Sequence, residues 1–332
     1  GRAGLDDFYT GGMAKTHSDF LISVGSPLRL NDFEKFKAEV QQSLSIRTSV
    51  GQIFNLGPPT QGMSSLAILG IYDRIKKDNC DDFDFVHRLV EATKQAFITR
   101  NLELGDPANM RVSAERLISD SYLDNCASKI SDDRAMDWPE VAKKGDTIWM
   151  GAVDDEGTVV SFIQSIFWEF GSGLICPETG VLFQNRGAGF SLFPGPNCLA
   201  PGRKPFHTLN PAMAIMNDGR IVSYGTMGGE GQPQTQAAIF SRYAFHGVDL
   251  QRSISAPRWL LGKTWGDDTT SLKLERSFDL DLVGKLSSAG HDTELVPANN
   301  SLMGHAGAVV SHPDGRVEAA SDARSDGIAL AG

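Results

Sequence analysis

Hydrophobic positions change their period once along this chain. Before residue 147 they recur at helical spacing. From Met63 to about Lys77, Leu66, Leu69, Ile71 and Ile75 predict a helix, and a second is predicted over Phe83 to Arg100. Asn31-Asp32-Phe33-Glu34 reads as a helix start, as does Ser113-Ala114-Glu115-Arg116-Leu117 after the Asp106-Pro107 break. One short strand, Gly51 to Asn55, is predicted ahead of a loop, Gly57-Pro58-Pro59-Thr60-Gln61-Gly62. After residue 147 short apolar runs alternate with turns. Thr147 to Val153 and Thr158 to Ile163 flank Asp154-Asp155-Glu156-Gly157. Pro211 to Met216 and Arg220 to Tyr224 flank Asn217-Asp218-Gly219, and Gly307 to His312 and Arg316 to Ala320 flank Pro313-Asp314-Gly315. Each set predicts a hairpin. Gln234 to His246 reads as a helix. Residues 127–146, polar and acidic with Pro139 and Gly145, read as an exposed connection suited to cleavage. Helices first and strands later predict an α+β layered fold.

Composition narrows the function classes. The chain has 332 residues, enough for one large domain or two, with 41% hydrophobic and 22% charged residues, as in an ordinary globular protein. A net charge of −10 argues against a nucleic-acid binder, which needs a basic face. Cys80, Cys126, Cys176 and Cys198 lie at no metal-ligand spacing, and the seven histidines form no recognisable ligand pair, so no metal is expected. No apolar run is long enough to span a membrane. The chain opens Gly1-Arg2-Ala3-Gly4 without Met, so the natural N-terminus is expected elsewhere.

The candidate chemistry centres on Thr147. A threonine hydroxyl is a weak nucleophile and needs a base within reach. If the chain is cut between Asp146 and Thr147, the new α-amine, with a reference pKa of about 7.7–8.0, is that base. Taken alone, the same residue reads more readily as the start of a hairpin strand, where threonine is common. Gly225-Thr226-Met227-Gly228-Gly229-Glu230-Gly231 lies between a strand and a helix, where converging backbone N–H groups form an oxyanion hole or simply a turn. Ser165, on the returning strand, is placed to support the Thr147 hydroxyl. Gln184-Asn185-Arg186-Gly187 and Phe206-His207-Thr208-Leu209-Asn210-Pro211 are polar clusters suited to reading a substrate, and Arg186 suits a carboxylate.

In this order the segments resemble the γ-glutamyltransferase family of N-terminal nucleophile hydrolases. The resemblance runs from the Gly57–Gly62 loop through Gly105-Asp106-Pro107, Gly145-Asp146-Thr147, Phe170-Gly171-Ser172-Gly173, Asn185, Phe190-Ser191, Asn210-Pro211 and Gly228-Gly229. It ends with Met303-Gly304-His305-Ala306 and Ser321 to Gly327. It implies a four-layer αββα sandwich and self-cleavage before Thr147. Residues 1–146 are then the C-terminal part of a large subunit, and 147–332 the small subunit, paired and able to dimerise further. It implies Thr147 as nucleophile with Ser165, Gly228 and Gly229 as the other catalytic groups, and it implies no cofactor.

The pocket segments depart from the glutathione-cleaving members, which carry Asn-Asn-Gln-Met-Asp-Asp-Phe-Ser where this chain has Gln184 to Ser191. Both aspartates are gone and Arg186 has appeared, which disfavours an ammonium and favours a carboxylate. The family's Ser-Ser pair is His207-Thr208 here, and its asparagine beyond the supporting hydroxyl is Phe167, followed by Trp168. These changes look most like the oxamate amidohydrolase branch, which works in purine nitrogen breakdown. That resemblance points to the cytoplasm, while the exported glutathione-cleaving relatives leave a periplasmic or secreted enzyme as the alternative. Asn185, Arg186, His207 and Thr208 are the expected substrate-binding residues. A γ-glutamyl enzyme, a β-lactam side-chain acylase and an uncleaved binding relative are the alternatives.

Overall fold

The computed structural model describes residues 4–138, 146–262 and 269–332. Pro139 and Gly145, and with them much of the expected cleavage connection, lie outside the described residues. Short helices α1 (Asp7–Thr10), α2 (Gly12–Ser23) and α3 (Leu30–Lys35) lead into strands β1 (Leu44–Thr48) and β2 (Gly51–Asn55). Helices α4 (Gly62–Ile75), α5 (Asp82–Glu103), α6 (Ala114–Leu117) and α7 (Asp120–Ala127) follow. Then come β3 (Asp146–Val153), β4 (Val159–Phe167), β5 (Ala212–Met216), β6 (Ile221–Thr226), α8 (Gln232–Phe240) and α9 (Leu250–Ser255). The chain ends through β7 (Trp259–Leu261), β8 (Leu272–Glu275), α10 (Leu280–Ser288), β9 (Thr293–Val296), β10 (Ala306–Ser311) and β11 (Val317–Ser321).

The organising element is a six-stranded antiparallel sheet in the order β1-β2-β5-β6-β10-β11. Its first two strands come from residues before 147 and the other four from residues after it. The two segments therefore interleave in one sheet rather than separating as their compositions suggest. Strand β1 and the β7–β9 unit were not read from the sequence; each is a run of only three to five residues. The helix expected over 234–246 begins earlier, at Gln232, and passes after Phe240 into a π-turn over Ser241–Phe245.

Period two sorts the faces of this sheet. On β6, Val222 and Tyr224 point to the helices, where Tyr224 stacks on Phe240 of α8 at 4.9 Å between ring centroids. Helix α4 lies in the same layer, packed against β1, β2, α5, α7 and α8, which is why nearly every residue from Gly62 to Tyr72 is buried. Ser223 and Gly225 face the other way, toward the β3–β4 hairpin, and the Ser223 hydroxyl donates to Val160 O at 2.9 Å. The indole of Trp149 fills a trough floored by glycines. A Cβ on Gly225 would sit 2.1 Å from Trp149 Cδ1, and one on Gly307 of the neighbouring strand 2.6 Å from Cζ3. Trp149 Nε1 also donates to Ser161 Oγ at 2.9 Å, tying its ring to the partner strand. This seat fixes β3 against the central sheet, and Thr147 lies two residues upstream. The hairpin turns Ile148, Met150, Val160 and Phe162 outward, all exposed. Among the described residues no helix is long and apolar enough to cross a membrane.

Candidate active site

Thr147 occupies an irregularity in the hairpin ladder. Asp146 pairs with Phe167 and Ile148 with Gln164, so the register shifts between them and leaves Thr147 opposite Ser165 and Ile166. Such a bulge re-aims one side chain. The half-buried Thr147 accepts a hydrogen bond at Oγ1 from Gln232 Nε2 at 3.4 Å. Ser165 Oγ accepts from Phe167 N at 2.9 Å. Phe167 has a φ of 81°, rare for an aromatic residue, and this turns the chain sharply at the end of β4. Asn185 holds that turn, its side-chain oxygen accepting from Trp168 N at 3.2 Å.

The glycine turn after β6 has left-handed backbone at consecutive positions, with φ of 123° at Gly228 and 53° at Gly229. Other residues avoid these values, which explains the residue type. The turn is clamped from below. Gln61, fully buried, donates its amide to Gly229 O at 2.7 Å and to Thr208 O at 3.0 Å. Arg100 donates to Gln61 Oε1 at 3.3 Å and pairs with Glu230 at 2.8 Å. Gly304 closes over the turn, where a Cβ would lie 2.7 Å from Met227 O. Sequence reading treated Gln61 as a loop residue and passed over Arg100, Glu230 and Gln232.

Arg186 is buried, with its guanidinium carbon 3.3 Å from the centroid of the Phe167 ring. It donates from Nη1 to Thr208 Oγ1 at 3.1 Å, while Nε has no partner and no carboxylate pairs with it among the described residues. Burial lowers its pKa to about 10, and the Glu230 charge partly offsets this, so it stays cationic at neutral pH. His207 lies beside it. Burial first, then the Arg186 charge, lower the His207 pKa to about 4. Its Nδ1 accepts from Leu209 N at 3.3 Å, so a neutral ring presents Nε2–H as a donor. Ser165, Asn185, Arg186 and His207 line one cleft of about 2,060 Å³ with Trp168 and Phe170. Thr208 is buried behind Arg186. Thr147 lines a separate cavity of about 510 Å³ with Met227, His305 and residues 325–330.

One group of metal-ligating side chains exists away from this site. His87 and Glu91, one turn apart on α5, meet His291 with ligand atoms within 4.8 Å of one another. The cluster is largely paired without an ion, although His291 Nδ1 has no hydrogen-bond partner among the described residues. His87 Nε2 donates to Ser131 O at 2.9 Å and Nδ1 accepts from His291 Nε2 at 2.8 Å. Lys94 pairs with Glu91 at 2.7 Å, so a divalent cation would have to displace an ammonium. Burial, then the Lys94 charge, lower the His291 pKa to about 3. For both His207 and His291 the folded value lies below the unfolded value near 6.5. Stability is therefore flat above that pH and falls as pH drops from about 6.5 toward 4 and 3. Each histidine costs at most about 1.4 kcal/mol per pH unit in that window. The urea midpoint is expected to be lower at pH 5 than at pH 7, and His207→Gln to flatten part of that slope. Equal midpoints at the two pH values would contradict the assignment.

A bulged threonine opposite a serine, a positive-φ diglycine turn and helices layered on a β-sheet that packs a second β-layer define an N-terminal nucleophile hydrolase fold. The chain belongs to the gamma-glutamyltranspeptidase family, whose model matches residues 1–332. It is 50% identical over 327 residues to the oxamate amidohydrolase proenzyme of Klebsiella pneumoniae, covering 98% of this chain and 62% of that protein. It is 36% identical to the glutathione hydrolase-like YwrD proenzyme of Bacillus subtilis, covering 98% of this chain and 63% of that one. Among solved structures, a cephalosporin acylase from Bacillus halodurans superposes with a TM-score of 0.87 at 29% identity, covering 97% of this chain and 58% of that one. The chain thus spans less than two thirds of the length of these relatives.

Proposed function

We propose that this chain is part of a self-cleaving amidohydrolase that forms an acyl-enzyme on Thr147 and hydrolyses a small carboxylate amide such as oxamate. The observation that carries this reading is Arg186. It is a buried cation on the wall of the cleft, with an unused donor and no acidic partner among the described residues. Such a group is costly unless an anion completes it. Neutral His207 offers a second donor beside it, and Thr208 positions the guanidinium. In the precursor, the Thr147 hydroxyl attacks the Asp146 carbonyl carbon, and the Asp146 C–Thr147 N bond breaks to leave an ester and the free α-amine. Water then hydrolyses the ester, which restores the hydroxyl and leaves the segments before and after the cut as paired subunits. In turnover, Oγ1 attacks the amide carbonyl and its proton passes through the α-amine to the leaving ammonia. The oxyanion rests on N–H groups of the Gly228-Gly229 turn, and water then releases oxalate and restores the hydroxyl. Ser165 supports the nucleophile from the facing strand. Half identity to an oxamate amidohydrolase proenzyme supports this substrate class.

The test combines intact mass and N-terminal sequencing with ammonia release from oxamate and nitroaniline release from a γ-glutamyl anilide. Two chains, one beginning at Thr147, with ammonia release are expected. Nitroaniline release without ammonia would favour a γ-glutamyl enzyme, the reading suggested by the 36% identical relative. A chain that stays uncut and inactive would favour a binding relative.

A further inference from the structure

Gln232 is the first residue of α8 and is fully buried. Its carboxamide is only half used. Nε2 donates to Thr147 Oγ1, while Oε1 has no hydrogen-bond partner among the described residues. A buried carbonyl oxygen left unpaired costs about 1–3 kcal/mol. Both atoms sit on one planar group, so the unpaired oxygen is held beside the nitrogen that meets Thr147. The new donor that cleavage would create there is the α-amine of Thr147 itself. An N–H directed at Oγ1 also occupies an oxygen lone pair, which turns the hydroxyl's own hydrogen toward another acceptor.

We propose that Gln232 is the positioning residue of the processed nucleophile, with Nε2 donating to Thr147 Oγ1 and Oε1 accepting from the freed α-amine. This rests on the reading of Thr147 as the self-cleaved nucleophile. An acceptor at the amine favours its ammonium form, so Gln232 sets the pH at which the amine becomes a base. Among the described residues, the other charged or titratable groups near this position are His305 and Asp326, which line the Thr147 cavity, and Glu230, two residues before Gln232 and paired with Arg100, with Arg186 near Glu230.

The experiment is the kcat–pH profile for oxamate of the wild type, Gln232→Leu, the near-isosteric Gln232→Glu and His305→Gln. Each is first checked for a fragment beginning at Thr147 and for its melting temperature. Gln232→Glu is expected to move the acid limb up by about one pH unit or more, as a carboxylate beside an ammonium does. Gln232→Leu is expected to move it down and to lower kcat about tenfold, roughly the worth of one hydrogen bond, with KM within about threefold. His305→Gln is expected to leave the limb in place, which assigns the titration to the amine. Variants at 232 that keep their melting temperature but fail to process assign Gln232 to the cleavage step rather than to the processed amine, which overturns the proposal. Processed variants whose acid limb stays at the wild-type pH overturn the proposal and leave Thr147 as the nucleophile. A wild-type protein with no fragment beginning at Thr147 overturns the underlying reading instead.

Discussion

Thr147→Ala is expected to remain a single uncut chain and to release no ammonia from oxamate above background. Loss of the nucleophile removes both reactions at once, and deletion of such a group costs on the order of 10⁴- to 10⁶-fold in turnover. The fold should survive, because the seat of β3 is the Trp149 indole on its glycine trough rather than the threonine side chain. Thr147→Ser keeps a hydroxyl and is expected to process, though more slowly. Denaturing mass spectrometry after long incubation decides the matter. A Thr147→Ala protein that still separates into two chains at residue 147 would move the cleaving group elsewhere.

Arg186→Ala is expected to raise KM for oxamate sharply while self-cleavage continues at the wild-type rate. Truncating one partner of a buried charge pair costs about 2–5 kcal/mol, or roughly 30- to 5,000-fold in kcat/KM. Self-cleavage is spared because the attacked Asp146 carbonyl is joined to Thr147 by the chain itself and needs no side chain to capture it. Arg186→Lys keeps the charge but loses the planar fork that lies over Phe167 and reaches Thr208. It is therefore expected to fall between wild type and Arg186→Ala. Steady-state kinetics with oxamate, paired with a time course of fragment formation, separates the two effects. Unchanged oxamate kinetics in Arg186→Ala would remove the carboxylate role from this residue.

The legible parts of the sequence were those written in neighbouring residues. The Thr147 hairpin follows from period-two runs around Asp154-Asp155-Glu156-Gly157, and the diglycine turn from residues that alone accept its left-handed backbone. The supporting groups left no local sign. Gln61 meets Gly229 O, Arg100 meets Glu230 and Gln232 meets Thr147 only after the chain has folded, across separations of 168, 130 and 85 residues. His87 and Glu91 are close in sequence, but it takes His291 from beyond α10 to make them a cluster. The composition changes at Thr147. The central sheet ignores that boundary, because β2 pairs with β5 along its length.

That shared sheet alters what unfolding means before and after the proposed cut. In the precursor, β1–β2 and β5–β6 are tethered by one chain, so their pairing is an intramolecular search at high effective concentration. Once Asp146 and Thr147 are parted, the same ladder joins two molecules. Refolding then becomes a bimolecular reaction whose yield depends on dilution. Processing would thus turn a protein that can find its own fold repeatedly into one whose persistence depends on how slowly it comes apart.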